Sequence, residues 1–94
     1  MKATLVKDLP VTQTGASQKL WKLDEPYTLT DWDDNPTGET EYVITSAVVA
    51  MFSGPETYVF PADESGEVID WLELHGSFRG DLDHDRAIAG FCRA

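Results

Sequence analysis

The run "EYVITSAVVAMF", Glu41 to Phe52, constrains this chain more than any other stretch. Read as a strand, it points Tyr42, Ile44, Val48, Ala50 and Phe52 one way and Val43, Ala47, Val49 and Met51 the other. Both faces are mostly apolar, which suits a strand buried on both sides at the centre of a sheet. Ile44, Val48 and Val49 are the expected core. In a helix, Val43, Ile44, Thr45, Val48 and Val49 would lose side-chain freedom against the preceding turn, so their β-branched density favours the strand.

The segments on either side are punctuated by turn chemistry. "KATLVKDL" leans towards β-structure and ends at Pro10, and "TQTGAS" is a polar turn. "QKLWKLDEPYTLT", if extended, puts Trp21 and Leu23 on one face and Leu20 on the other. Pro26 interrupts it, and proline has no N–H for a ladder, so an edge strand is expected. "DWDDNPTGET" reads as a loop of about ten residues, because Asp, Asn, Pro and Gly each favour turn geometry. After the central strand "SGPE" turns the chain, "TYVFPADE" returns as a strand, and "ESGE" turns it again on Gly66. "EVIDWLEL" is the next expected strand, with Trp71 towards the core, and "HGSFRG" is a loop. "LDHDRAIAGFC" predicts a short helix. Asp83 would cap it, Asp85 sits in its first turn, and Ile88 and Phe91 share a face. The expected fold is α+β: an antiparallel meander of about four or five strands with one short C-terminal helix. It forms one small acidic domain over residues 1–94. One wet sheet face accounts for acids alternating with apolar residues in "EVIDWLE".

The net charge of −10 is unevenly spread. Residues 1–22 hold four Lys and one Asp, whereas residues 23–94 hold sixteen acids against three Arg. Such a surface repels phosphate backbones and anionic lipid heads, so direct nucleic-acid or membrane binding is not expected. A basic partner, or a protein that itself binds nucleic acid, fits. Cys92 is the single cysteine, which excludes an intrachain disulfide and fits a reducing cytoplasm. "MKATLVKDLPV" has no apolar run of the signal-peptide kind, and Tyr42–Pro55 is too short to span a bilayer.

Site chemistry is mostly excluded by spacing. A calcium loop counted from Asp81 has Arg86 at position 6 and Cys92 at position 12; counted from Asp33 it has Gly38 at position 6 but Ile44 at position 12. Both lack the closing bidentate Glu. One Cys and two His without paired spacing do not make a zinc site. Cys92 follows His84 by eight residues, about 12 Å of helical rise, so the two cannot form a nucleophile–base pair. Cys92 reads as a small apolar residue beside the core. Carboxylate pairs are inevitable among seventeen acids, but a chain this short leaves little room for a glycosidase cleft. GxGxxG, GxxxxGK[ST] and GxSxG are absent. No catalytic residue, cofactor or metal is expected. His84 lies between Asp83 and Asp85, which favour its protonated form; it reads either as a pH switch or as a first-turn residue facing water.

Trp32 stands apart. Asp31, Asp33 and Asp34 flank it in a polar loop, so burying it would drag charges inward. It is either the anchor of a protein contact or a lid folded over the open sheet. Phe78 and Arg79 in "GSFRG" form a second candidate anchor.

From Ser46 to Ile88 the features "SAVVA", "SGPETYVFPAD", the Gly66 turn, "DWLEL", "GSFRG" and "DH" carry a resemblance. About half the chain resembles a family of small uncharacterised proteins encoded by phages of actinobacteria. His75 departs from it, where Pro would be expected. The resemblance implies a phage accessory protein in the host bacterial cytoplasm and transfers no catalytic residue. The expected function is therefore non-enzymatic: binding a host protein and interfering with host physiology. The alternatives are an acidic nucleic-acid mimic that blocks a DNA-binding protein, and a minor virion or assembly protein.

Overall fold

Alternating apolar residues and turn signals along the first two-thirds of the chain produce four long strands. They are β1 (Ala3–Leu9), β2 (Ser17–Thr30), β3 (Pro36–Ala50) and β4 (Gly54–Ala62). A two-residue β5 (Phe78–Arg79) and one helix, α1 (His84–Arg93), follow. The structure, a computed structural model, describes residues 1–93. Each strand pairs antiparallel with the next in sequence, so the sheet order is β1-β2-β3-β4-β5 and the fold is an α+β meander with one helix.

The helix covers one face. Trp21, Leu23, Val43 and Val59 from the sheet meet Ala87, Ile88 and Phe91 from α1, with Leu74 closing the cluster. A smaller cluster of Leu20, Ile44 and Ala62 lies on the other face under Leu9, Tyr42 and Val68. Asp83 caps α1 by accepting the Arg86 N–H at 3.0 Å, as its place before the helix predicts.

Three connections repeat one device: Thr12–Ala16, Asp31–Asn35 and Asp63–Glu67. In each, the first residue's carbonyl accepts the fourth residue's N–H, at 2.9, 3.1 and 3.1 Å. Its side-chain oxygen accepts the fifth residue's N–H, at 3.0 Å in all three. The fourth residue is left-handed in each: Gly15 (φ 83°), Asp34 (φ 61°) and Gly66 (φ 91°). Asp34 holds with a side chain the conformation the other two turns give to glycine. Asp34→Gly is therefore expected to raise stability by about 0.5–1 kcal/mol, roughly 2–8 °C in Tm. A lower Tm in a thermal melt would contradict the turn geometry.

The structure corrects several expectations. The "DWDDNPTGET" loop contracts to Asp31–Asn35, because Pro36–Thr40 already pairs with Tyr27–Thr30. β2 is not an edge strand. It lies between β1 and β3, and Pro26 sits in the register break between Lys22 and Tyr27, where no ladder N–H is needed. Ile44 is buried as expected, but Val48 is only half-buried and Val49 is 65% exposed. β2 begins at Ser17, opposite Ala47, so beyond Ala47 the strand β3 pairs with β4 alone.

The largest correction concerns "EVIDWLEL", which is not a strand. β4 carries Pro55 and Pro61, and both present only carbonyls to this side: Pro55 accepts from Gly80 N at 2.8 Å and Pro61 from Ile69 N at 2.9 Å. Val59 N–H is taken by the Ser77 hydroxyl at 2.9 Å, while the Val59 carbonyl accepts from Leu74 N at 2.8 Å. A regular ladder survives only at Glu56–Thr57, opposite Phe78–Arg79 in the segment expected to be a loop. Between the anchors at Ile69 and Leu74, residues 70–73 bulge outwards. Trp71 goes with them and is exposed rather than in the core.

His84 is also corrected: it does not simply face water. Trp21 Nε1–H donates to Thr45 Oγ1 at 2.8 Å, Thr45 Oγ1 lies 2.7 Å from His84 Nδ1, and His84 Nε2 lies 3.3 Å from Ser17 Oγ. A neutral imidazole protonated on Nε2 satisfies this chain, accepting from Thr45 and donating to Ser17. Burial holds the His84 pKa below its ordinary 6.5 and Lys19 adds to this; Asp85, Asp8 and Asp83 oppose it and are outweighed. A histidine depressed in the folded state binds less proton folded than unfolded. Its stabilisation is full above pH 6.5 and is lost as the pH falls through the folded-state pKa. Tm should therefore drop between pH 7.5 and pH 5.5, above the range where the carboxylates titrate, and His84→Asn should flatten that slope. A wild-type Tm that is level across this window would refute it.

Candidate protein-binding groove

The Asp31–Asn35 turn and the 70–73 bulge line one groove of about 670 Å³. Trp32, Trp71 and Leu72 supply its apolar lining, Asp31, Asp70 and Glu73 its carboxylates, and Thr30 and Thr37 complete it. No lysine or arginine is among these eight residues.

Trp32 is 94% exposed, so it is not a lid over the sheet. Its place follows from the turn: Asp31 Oδ1 accepts the Asp33 and Asn35 N–H groups at 2.9 and 3.0 Å, which fixes the backbone on either side of the indole. The same N–H groups, Asn35 first, lower the Asp31 pKa, so this carboxylate stays ionised. Trp71 is 70% exposed, its ring meeting Phe60 edge-on at 5.3 Å, and Phe60 in turn lies 5.7 Å from Tyr58. Ile69 and Leu72 are exposed beside it. Single exposed apolar residues are ordinary; two exposed indoles lining one depression beside three carboxylates are less so.

The sequence-derived candidates divide. Trp32 and Asp31 line the groove, with Asp33 and Asp34 exposed in the same turn. Phe78 and Arg79 do not join them. Phe78 is half-buried against the helix-side core, with the Arg86 guanidinium 4.2 Å from its ring centroid. Phe78 and Arg86 line a separate depression of about 630 Å³ with Gly76 and Gly90. Arg79 Nε lies 3.4 Å from Glu56 Oε1, and the Tyr58 hydroxyl donates to Glu56 Oε2. That hydrogen bond leads the groups that lower the Glu56 pKa, followed by Ser53, with Arg79 contributing too. Sequence reasoning missed Trp71; the two prolines six residues apart in β4 were the signal that the neighbouring chain could not pair regularly.

Cys92 is half-buried against the helix-side core, and burial raises its thiol pKa, which keeps it protonated at neutral pH. Among the described residues no group of three or more His, Cys, Asp or Glu is placed to hold a metal ion. No helix among them is long and apolar enough to cross a membrane. No family model, curated protein or solved structure matches the chain.

Proposed function

We propose that the chain is a non-enzymatic phage accessory protein that binds a basic host protein in the bacterial cytoplasm through the Trp32–Trp71 groove. The observation that carries the binding role is the pair of exposed indoles in one acid-lined depression. Tryptophan is among the residue types most enriched at the energetic centres of protein contacts. The chain as a whole, at net charge −10, would steer a basic partner in. The phage origin rests on the sequence resemblance.

The test is capture from a bacterial lysate with wild-type, Trp32→Ala and Trp71→Ala baits, followed by titration of the captured protein in pure form. Each alanine variant should lose at least about 2 kcal/mol of binding, roughly thirtyfold in Kd, with Tm retained for Trp32→Ala. Asp33→Asn with Asp34→Asn should mainly slow association and flatten its salt dependence. The opposite ranking, with charge removal costing more affinity than loss of either indole, would favour the acidic nucleic-acid mimic. Equal capture by all baits would remove the groove as the contact surface.

A further inference from the structure

We infer that the groove receives an arginine side chain from an extended basic segment of the partner. The inference rests on the protein-binding reading above and names the chemistry of the contact. A cation over an indole face is attracted by the ring's negative π-surface, most strongly for tryptophan. Two indoles line this groove, with the carboxylates of Asp31, Asp70 and Glu73 beside them. The chain's own lysines and arginines are absent from the lining, so the cation must come from outside it. Asp31 is held ionised by its turn, which fixes one negative charge next to Trp32. Trp71 rests edge-on against Phe60, which leaves most of the indole open for a ligand to stack on. Arginine fits better than lysine for two reasons. Its planar guanidinium is weakly hydrated and can stack on a ring, and its fork of donors can reach a carboxylate at the same time. The chain already shows the pairing in miniature, with Arg86 over Phe78 at 4.2 Å.

Three indole N–H resonances report on the test. Trp32 and Trp71 flank the groove, while Trp21 is buried with its Nε1–H bonded to Thr45 and serves as the internal control. A synthetic peptide of alternating glycine and arginine is titrated into the labelled protein, alongside matched peptides with lysine or with uncharged citrulline. The arginine peptide should move the Trp32 and Trp71 signals saturably and leave Trp21 in place. Citrulline should bind at least about tenfold more weakly, lysine should fall between the two, and Trp32→Ala should lose about tenfold. Trp32 is exposed in a turn, so its variant keeps the test valid even if Trp71→Ala folds poorly. Equal binding of arginine and citrulline peptides, or movement of Trp21 along with the other two, would overturn the inference. Tryptophan-dependent capture of a host protein without any arginine-peptide response would overturn the arginine assignment alone. Loss of both responses would end the binding reading as well.

Discussion

Gly76→Ala is expected to lower stability by about 3–5 kcal/mol, at least about 12 °C in Tm, and to leave part of the population unfolded near room temperature. A β-carbon at Gly76 would overlap the Ala87 carbonyl oxygen and stand 2.6 Å from the Phe91 backbone nitrogen. These are backbone atoms of α1, so no side chain can swing aside. The φ of 99° adds strain for any L-residue. The helix and the loop before β5 meet here glycine to glycine, since a β-carbon on Gly90 would come within 3.1 Å of Gly76 Cα. Gly15→Ala is the control. Its φ is 83°, but nothing lies within 4 Å of the added carbon, so it should show only the left-handed penalty of about 1–2 kcal/mol. Circular-dichroism melts of the two variants separate steric exclusion from backbone strain. A Gly76→Ala melt no worse than that of Gly15→Ala would mean the loop does not lie against the helix.

Val43→Asp should abolish the folded state, whereas Val49→Asp should change stability by no more than about 0.5 kcal/mol. Both valines sit on the same face of the same apolar run. Val43 is fully buried in the helix-side cluster, opposite Trp21 and Pro61, and an aspartate there finds no partner charge. A domain of 94 residues has only about 5–14 kcal/mol in total, and one unpaired buried carboxylate consumes a large part of it. Val49 has lost its β2 neighbour and stands in water. Dispersed amide resonances should persist in Val49→Asp and collapse in Val43→Asp. If both variants stay folded, the centre of the sheet has been misplaced.

The contrast between these valines shows what was legible in the sequence. Periodicity identified the central strand, because both faces of Val43–Ala47 are in fact covered. It could not say where cover ends, since that depends on where β2 starts, at Ser17, about thirty residues before Ala47 in the chain. Turn chemistry was legible for local reasons: Asp63 and Gly66 act within five residues of each other. The bulge at 70–73 was not, because it follows from missing donors on a different strand. The candidate site was accordingly half visible. Trp32 could be picked out from its aspartate neighbours, but Trp71 looked like a core residue in an alternating run. His84 was misread for the same reason: its neighbours in sequence are anions, but the fold half-buries it against Thr45 and Ser17, and burial, with Lys19, outweighs those anions.

The helix has a consequence for how this chain is made. α1 follows all five strands in sequence, yet it supplies Ala87, Ile88 and Phe91 to cover Trp21, Leu23, Val43 and Val59. A meander lets each strand pair with one already synthesised, so the first four can assemble as they leave the ribosome. Ile88 is translated 29 residues after Val59. At about 5–20 residues per second, the nascent sheet would show a bare apolar face for roughly 1–6 s before its cover is made. A dense negative charge on the emerging chain would hold neighbouring nascent copies apart during that interval. The acidity that would steer a partner to the finished protein would thus also protect the unfinished one.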